Sequence, residues 1–411
     1  MFVHQHNYFD ALQCYKNYVQ QHPNQETGLF GMASCLFKLN RYKEALQIYQ
    51  LITTLSPTSC GAWYNSAYCA RLLGDHTTAI NAYKKTLSLN PEHENAHFGL
   101  SKSYLALGNY EKGWEEFEWR YRDVHLFKQS KIDLSKLTGK KVLLRSEWGF
   151  GDVIQFIRYA KILKDIGATV YLESIPALIP LLKSCPFIDH LIPMGNKLPL
   201  TDVNIPLLSM PYLCDTRLET IPAPLPYLFA DPNLITYWKN KLAHDTKIKI
   251  GICWHAKPIF LEDHIYTRRS IPLEMFVPLS RIPGIQLYSL QKVHGQEELA
   301  NLASDITIYD FGSELDTIHG CFMDTAAIMK HLDLVISVDT AIVHLAGALG
   351  VPTWILLPYT AEWRWLQERT DSPWYPNIAR LFRQKTPGEW SEVVDAVYEA
   401  LISFIKQKGT L

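Results

Sequence analysis

Two hydrophobic periods divide the chain. Up to about residue 120 the apolar positions recur at helical spacing, in short stretches punctuated by turn residues. From Lys140 the texture changes to short apolar runs alternating with helical stretches, the pattern of a parallel-sheet α/β architecture. KVLLRS, ATVYLES and DHLIPM predict strands, with VIQFIRYAKILKDIG and IPALIPLLKS as crossover helices. A second strand series follows in KIKIGICWH, IQLYSLQ, ITIYDF, DLVISV and PTWILL. Between the series, the Pro-rich passage from Ile192 to Pro232, which contains VNIPLLSMPYLC, reads as irregular. EWSEVVDAVYEALISFIKQ predicts a terminal helix that packs back across the two α/β lobes.

The first period has a longer one laid over it. Pro23, Pro57 and Pro91 recur every 34 residues, and Ala11, Ala45, Ala79 and Gly113 fall on the same spacing. In Cys60 to His93, Trp63, Ala67, Gly74, Ala79, Tyr83 and Pro91 occupy the positions where two antiparallel helices touch and turn. Glu26 to Ser59 repeats them with Leu29, Ala33, Asn40, Ala45, Tyr49 and Pro57, and a third copy starts at Glu94 with Ser101, Tyr104, Gly108, Gly113 and Phe117. Length and residue pattern resemble the tetratricopeptide repeat. NYFDALQCYKNYVQQHP supplies only a second helix, so a first one is expected either to be missing or to lie upstream of the chosen Met. Such stacks present a concave surface to a peptide or partner, and they also serve as spacers or dimer modules.

Composition narrows the classes. With 411 residues the chain exceeds what one core usually serves, and 47% hydrophobic with 20% charged residues is ordinary for a globular protein. A net charge of −1 without a long single-sign run excludes the electrostatic footprint of a nucleic-acid binder. The eight cysteines are scattered without metal-ligand spacing, which predicts buried thiols in a cytoplasmic protein. No stretch predicts a membrane span, and the amino terminus has no basic region followed by an apolar run.

The most informative segment is DLVISVDTAIVHLAGALGVPTWILL, Asp333 to Leu357. A helix starts there at the carboxyl end of a buried strand, with Asp339 and Thr340 at its amino end, Ala341 next and His344 one turn on. Free N–H groups and the helix dipole then face the crevice where open α/β sheets bind ligands, and a nucleotide diphosphate fits that chemistry. The same residues also describe an ordinary crossover helix with an Asp cap and a core histidine. SEWGFGD, Ser146 to Asp152, repeats the arrangement after the first strand: Gly149 and Gly151 let the backbone approach a ligand, and Asp152 stands either as a cap or facing the crevice.

SVDTAIVHLAGALGVP resembles the donor motif of glycosyltransferase family 9, the heptosyltransferase family, and WGFGD resembles its first-lobe loop. The likeness runs from Val142 to about Gln384, where WRWLQERTDSPWYPNIARLFRQ looks like the tail of repeat-bearing members. It implies α-helical tetratricopeptide repeats in residues 1–125 followed by the GT-B fold, two Rossmann-like lobes in 138–245 on the acceptor side and 246–411 on the nucleotide-sugar donor side, the latter ending in the terminal helix. Asp339, Thr340 and His344 would contact the donor diphosphate and sugar, and Asp152 would be the general base. Ala341 stands where heptosyltransferases usually have glycine, so the sugar stays open. Arg269 and Lys292 are cationic candidates for the departing diphosphate, by likeness of TRRSIP and YSLQKV to family segments; Arg268 reads as a surface charge. Trp254 ends a strand at the cleft, either stacking on a ligand or lying in the core. Trp363, Arg364 and Trp365 suit carbohydrate stacking or lobe closure. The expectation is an inverting, metal-independent glycosyltransferase, with no cofactor beyond the nucleotide sugar as substrate, whose repeats recruit a protein or glycan acceptor or a partner. The rivals are a repeat scaffold with an inactive transferase-like part and a nucleotide-sugar epimerase.

Overall fold

A computed structural model of the chain describes residues 7–120, 131–257, 269–304 and 306–408; Arg268 lies outside them. The chain forms two compact units, one of residues 1–130 with Thr360–Gln367, the other of residues 131–359 with 368–411.

The first unit is helical: α1 (Tyr8–Gln21), α2 (Glu26–Lys38), α3 (Tyr42–Leu55), α4 (Cys60–Leu72), α5 (His76–Leu89), α6 (Glu94–Ala106) and α7 (Tyr110–Phe117). The 34-residue period reappears in backbone detail. Asn40, Gly74 and Gly108 hold φ of 61°, 80° and 78°, the left-handed turn that ends the first helix of each pair. The next residue in each case donates its N–H back across that turn, Arg41 to Leu36, Asp75 to Ala70 and Asn109 to Tyr104, all at 2.9 Å. Asp75 then caps α5 by accepting the Thr78 N–H at 2.9 Å, which satisfies one of the helix's orphan donors. Ala33, Ala45, Ala67 and Ala79 are fully buried where helices cross, because nothing larger leaves room for the neighbouring axis.

Thr360–Gln367 belongs to this unit. Thr360 Oγ1 donates to the Leu72 carbonyl at 3.1 Å, and the Gln367 amide donates to that of Gly74 at 2.7 Å. The Trp363 ring stands edge-on to Trp114 at 5.2 Å and near Phe117 at 6.3 Å. Trp363, Arg364 and Trp365 are all buried, so they close the core of the repeats and offer no face for stacking on carbohydrate.

The second unit holds two wholly parallel sheets. One has the order β3-β2-β1-β4, from β1 (Lys141–Arg145), β2 (Thr169–Ser174), β3 (His190–Pro193) and β4 (Val203–Pro206). The other has the order β10-β9-β8-β5-β6-β7, from β5 (Ile248–Cys253), β6 (Ile285–Ser289), β7 (Ile308–Tyr309), β8 (Leu334–Val338), β9 (Thr353–Leu357) and β10 (Ala379–Arg383). Around them lie α8 (Phe150–Phe156), α9 (Ala160–Asp165), α10 (Pro232–Leu242), α11 (Met323–Met329), α12 (Ala341–Leu349) and α13 (Ser391–Gln407). Central strands such as β8 are buried along their whole length, the reason they read as unbroken apolar runs. Helical repeats followed by two Rossmann-like lobes are the expected GT-B architecture.

The structure departs from the sequence pattern in three elements. VNIP, read as irregular, is the edge strand β4, whose four residues end in a proline that an edge position tolerates. ARLFR, read as part of a tail, is the edge strand β10, paired with β9. Helix α13 lays Val393, Val397, Leu401 and Ile405 into the core of the second sheet, with Trp354 and Phe382, where a crossing over both lobes was expected.

Candidate active site

Both sheets reverse their winding at a central strand pair, β1 with β4 and β5 with β8. In such sheets the crevice outside the carboxyl ends of these strands is the natural ligand position. The loop after β1 leads into α8 and the turn after β8 leads into α12, so each helix begins at its sheet's carboxyl edge.

The two helix starts meet. A Cβ built on Gly151 would stand 2.8 Å from Cδ2 of His344 and 3.5 Å from Cα of Ala341, so only glycine lets α8 lie this close to α12. Gly149 precedes α8 in extended conformation and donates its N–H to Asp152 Oδ2 at 3.2 Å. The partly exposed Asp152 therefore closes the first turn of α8. Trp148, just before, has φ of 58° and a half-exposed ring, a strained backbone for a bulky residue and a state that clusters at functional sites.

At α12, Thr340 is the cap: its Oγ1 accepts the Ile342 N–H at 3.2 Å. Asp339 is 5% exposed, and its Oδ2 lies 4.0 Å from Nη1 of Arg269. Beneath them Cys253 ends β5 in full burial, which pushes its thiol up to about 11 and keeps it an inert thiol. His344 is buried, with Nδ1 2.8 Å from the Tyr375 hydroxyl. The Tyr375 ring lies flat on α12 because residue 347 is glycine; a Cβ there would be 2.3 Å from the ring.

Two expected donor residues stand elsewhere. Trp254 is fully buried and packs with Ile271, Leu273 and Phe276 in the second-sheet core, so its ring has no face toward a ligand. The Lys292 ammonium is hydrogen-bonded to the Leu315 carbonyl and 3.5 Å from Thr317 Oγ1, where it pins that loop.

Other residues escaped the sequence pattern. Gln291, 3% exposed at the end of β6, accepts the N–H groups of Trp254 at 3.0 Å and His255 at 2.9 Å and donates to the His255 carbonyl at 3.1 Å. It thereby fixes the turn after β5 at the switch point. Arg158 is 1% exposed; it donates to the Gln155, Pro222 and Trp374 carbonyls and to the Tyr227 hydroxyl. It also lies 4.6 Å over Tyr227 and 4.9 Å over Tyr375, cation–π contacts that spread its charge onto rings. A sequence signal existed for Arg158, a lone cation in the apolar run VIQFIRYA.

Among the described residues no helix is long and apolar enough to cross a membrane. Residues 321–386, which contain α12 and its cap, match the family model of glycosyltransferase family 9 (heptosyltransferase). Residues 2–59 and 70–113 match tetratricopeptide repeat models. The chain is 25% identical over 337 residues to Protein FlbA of Caulobacter vibrioides, an alignment covering 75% of this chain and 55% of that protein. It thus spans about half the length of that curated relative. Among solved structures it is similar to ADP-heptose LPS heptosyltransferase II of E. coli, at 16% identity and TM-score 0.48, covering 66% of this chain and 99% of that one. It is also similar to a glycosyl transferase family 9 protein of Veillonella parvula, at 14% identity and TM-score 0.44, covering 66% and 93%. The chain is thus similar to tetratricopeptide repeats in its first part and, over residues 321–386, to glycosyltransferase family 9.

Proposed function

We propose that the α/β unit is an inverting, metal-independent glycosyltransferase acting in the cytoplasm, moving a sugar from a nucleotide-sugar donor to an acceptor hydroxyl, with the repeats recruiting a protein or glycan acceptor or a partner. The observation that supports it is the approach of Gly151 to Ala341 and His344, since it brings one helix start from each lobe to a common mouth. Donor and acceptor then have a side each.

On the donor side, the first turn of α12 and Arg269 beside Asp339 meet the negative charge that grows on the departing nucleoside diphosphate. On the acceptor side, Asp152 takes the proton of the attacking hydroxyl while its oxygen bonds the anomeric carbon and the bond from that carbon to the diphosphate breaks. One base and an in-line displacement invert the centre. The half-exposed Trp148 gives the acceptor a flat apolar surface beside Asp152. Ala341 in place of glycine argues against assigning a heptose.

Titration of the purified chain against a panel of nucleotide sugars, with mass-spectrometric detection of released nucleoside diphosphate, tests this reading. Binding of one donor and acceptor-dependent release are expected. Binding of none would make the chain a repeat scaffold with an inactive transferase-like part, and conversion of donor without acceptor would make it an epimerase.

A further inference from the structure

A loop of the second lobe reaches the first next to the α8–α12 junction. It runs from Leu315 to Phe322, just ahead of α11. Carboxylates hold its root. Asp324 accepts the Asp316 N–H at 3.0 Å and the indole N–H of Trp238 at 2.8 Å, and its Oδ1 lies 2.9 Å from His319 Nδ1. Trp238 stands on α10, which is packed on α11. Asp316 in turn accepts the Thr325 N–H at 3.0 Å, and the Lys292 ammonium donates to the Leu315 carbonyl. The tip points the other way. The Phe322 ring stands edge-on to that of Phe150, the first residue of α8, with centroids 5.8 Å apart and planes at 86°. A Cβ built on Gly320 would lie 3.0 Å from Cγ of Pro180 in the first lobe. Asp316, Gly320 and Phe322 hold φ of 51°, 105° and 64°. That left-handed backbone is strained for aspartate and phenylalanine, and it persists only where the surroundings hold it.

We infer that the Leu315–Phe322 loop is a strap, carried by the second lobe and fastened to the first through Phe322 on Phe150 and Gly320 on Pro180, and that the lobes open by parting these two contacts. Hydrogen bonds to carboxylates fix the root, whereas a ring edge and a proline ring seat the tip, so the tip is the part that yields. Gly320 is needed for the fit, since a side chain there would press on Pro180 and sit at a φ that glycine alone takes without strain. Phe150 lies two positions before Asp152. In the nucleotide-sugar reading, on which this consequence alone rests, the fastened strap bounds the mouth beside the proposed base, and an acceptor enters or leaves while it is parted.

Fluorine-19 spectroscopy of the full, ligand-free chain with 4-fluorophenylalanine at position 322 tests the strap, because the Phe150 ring displaces the resonance while the two rings touch. The expected signal exchanges between a fastened and a parted position on the microsecond-to-millisecond timescale, read by relaxation dispersion. Phe150→Leu should carry it to the parted position, and Ile318→Ala, on the same loop but 82% exposed, should leave it in place. Absence of exchange in the otherwise wild-type chain overturns the inference, whether or not any variant folds, since the contact is then a fixed interface. So does a Phe150→Leu protein of wild-type melting temperature whose signal moves no further than in Ile318→Ala. Because no ligand is present, either result is separate from failure of the donor panel to bind.

Discussion

Gly151 of the first lobe rests against His344 of the second, with 2.8 Å between the position of an added Cβ and the imidazole Cδ2. The histidine is buried and hydrogen-bonded to Tyr375, so it has little freedom to withdraw. Gly151→Ala therefore forces α8 and α12 apart at a cost of about 1–3 kcal/mol, the usual penalty for overpacking. We expect a lower melting temperature and a donor affinity at least about tenfold weaker, equivalent to about 1.4 kcal/mol. Gly149→Ala is the control, since its Cβ would meet nothing nearer than Asp152 Oδ2 at 3.5 Å. Equal loss in the two variants would show that the lobe contact does not govern binding.

Asp152 serves α8 as well as the proposed chemistry, because its carboxylate accepts the Gly149 N–H. Asp152→Asn keeps the shape of the side chain and removes the base. Turnover should fall about a hundred- to ten-thousand-fold, the range for losing general-base assistance, with the donor dissociation constant changed by no more than about threefold. Wild-type turnover in this variant would assign the proton to another group.

Gln291→Ala should destabilise the second lobe. The buried N–H of Trp254 and the part-buried one of His255 lose their acceptor, and a buried unsatisfied donor such as the former costs about 1–3 kcal/mol. Urea unfolding should show a lowered midpoint with an unchanged slope. A midpoint equal to that of wild type would mean that solvent replaces the amide.

The repeats should be acid-sensitive at His76. Burial, with the nearby Arg71 adding to it, pushes this histidine down from its ordinary 6.5 to about 4. Between those values the unfolded chain binds the proton and the folded one does not, so stability rises with pH through the window and is lost as pH falls from about 6.5 toward 4. The effect amounts to about 3 kcal/mol when both values are crossed. Melting of the wild type at pH 7 and pH 4.5 should differ by more than melting of His76→Gln, and parallel shifts would remove His76 as the cause.

The readable part of the fold was local. Prolines, small residues and turn residues in phase every 34 positions announce the repeats, because each pair must turn at Asn40, Gly74 or Gly108 and cross at an alanine. Strands such as β1 and β8 show as apolar runs because both faces are buried. What was not readable depends on partners far along the chain. Arg158 stands out as a lone cation in an apolar run, but nothing local tells that Trp374, 216 positions away, supplies it a carbonyl. Trp254 and Trp363 are alike in composition signal to a stacking tryptophan, and only their neighbours in space make them core. β4 and β10 are short edge strands, one ended by proline and one interleaved with arginines, which blurs the alternation that marks a strand.

The eight residues Thr360–Gln367 leave the α/β unit after β9, complete the helical one and return to form β10. No single cut therefore separates the two folding units: a fragment stopped at Ser130 would expose the apolar seat that Trp363 fills against Trp114 and Phe117, and an α/β fragment would carry that tryptophan bare. The helical unit is thus finished by a segment drawn from between β9 and β10, and repeats deprived of it should be sticky and prone to aggregate.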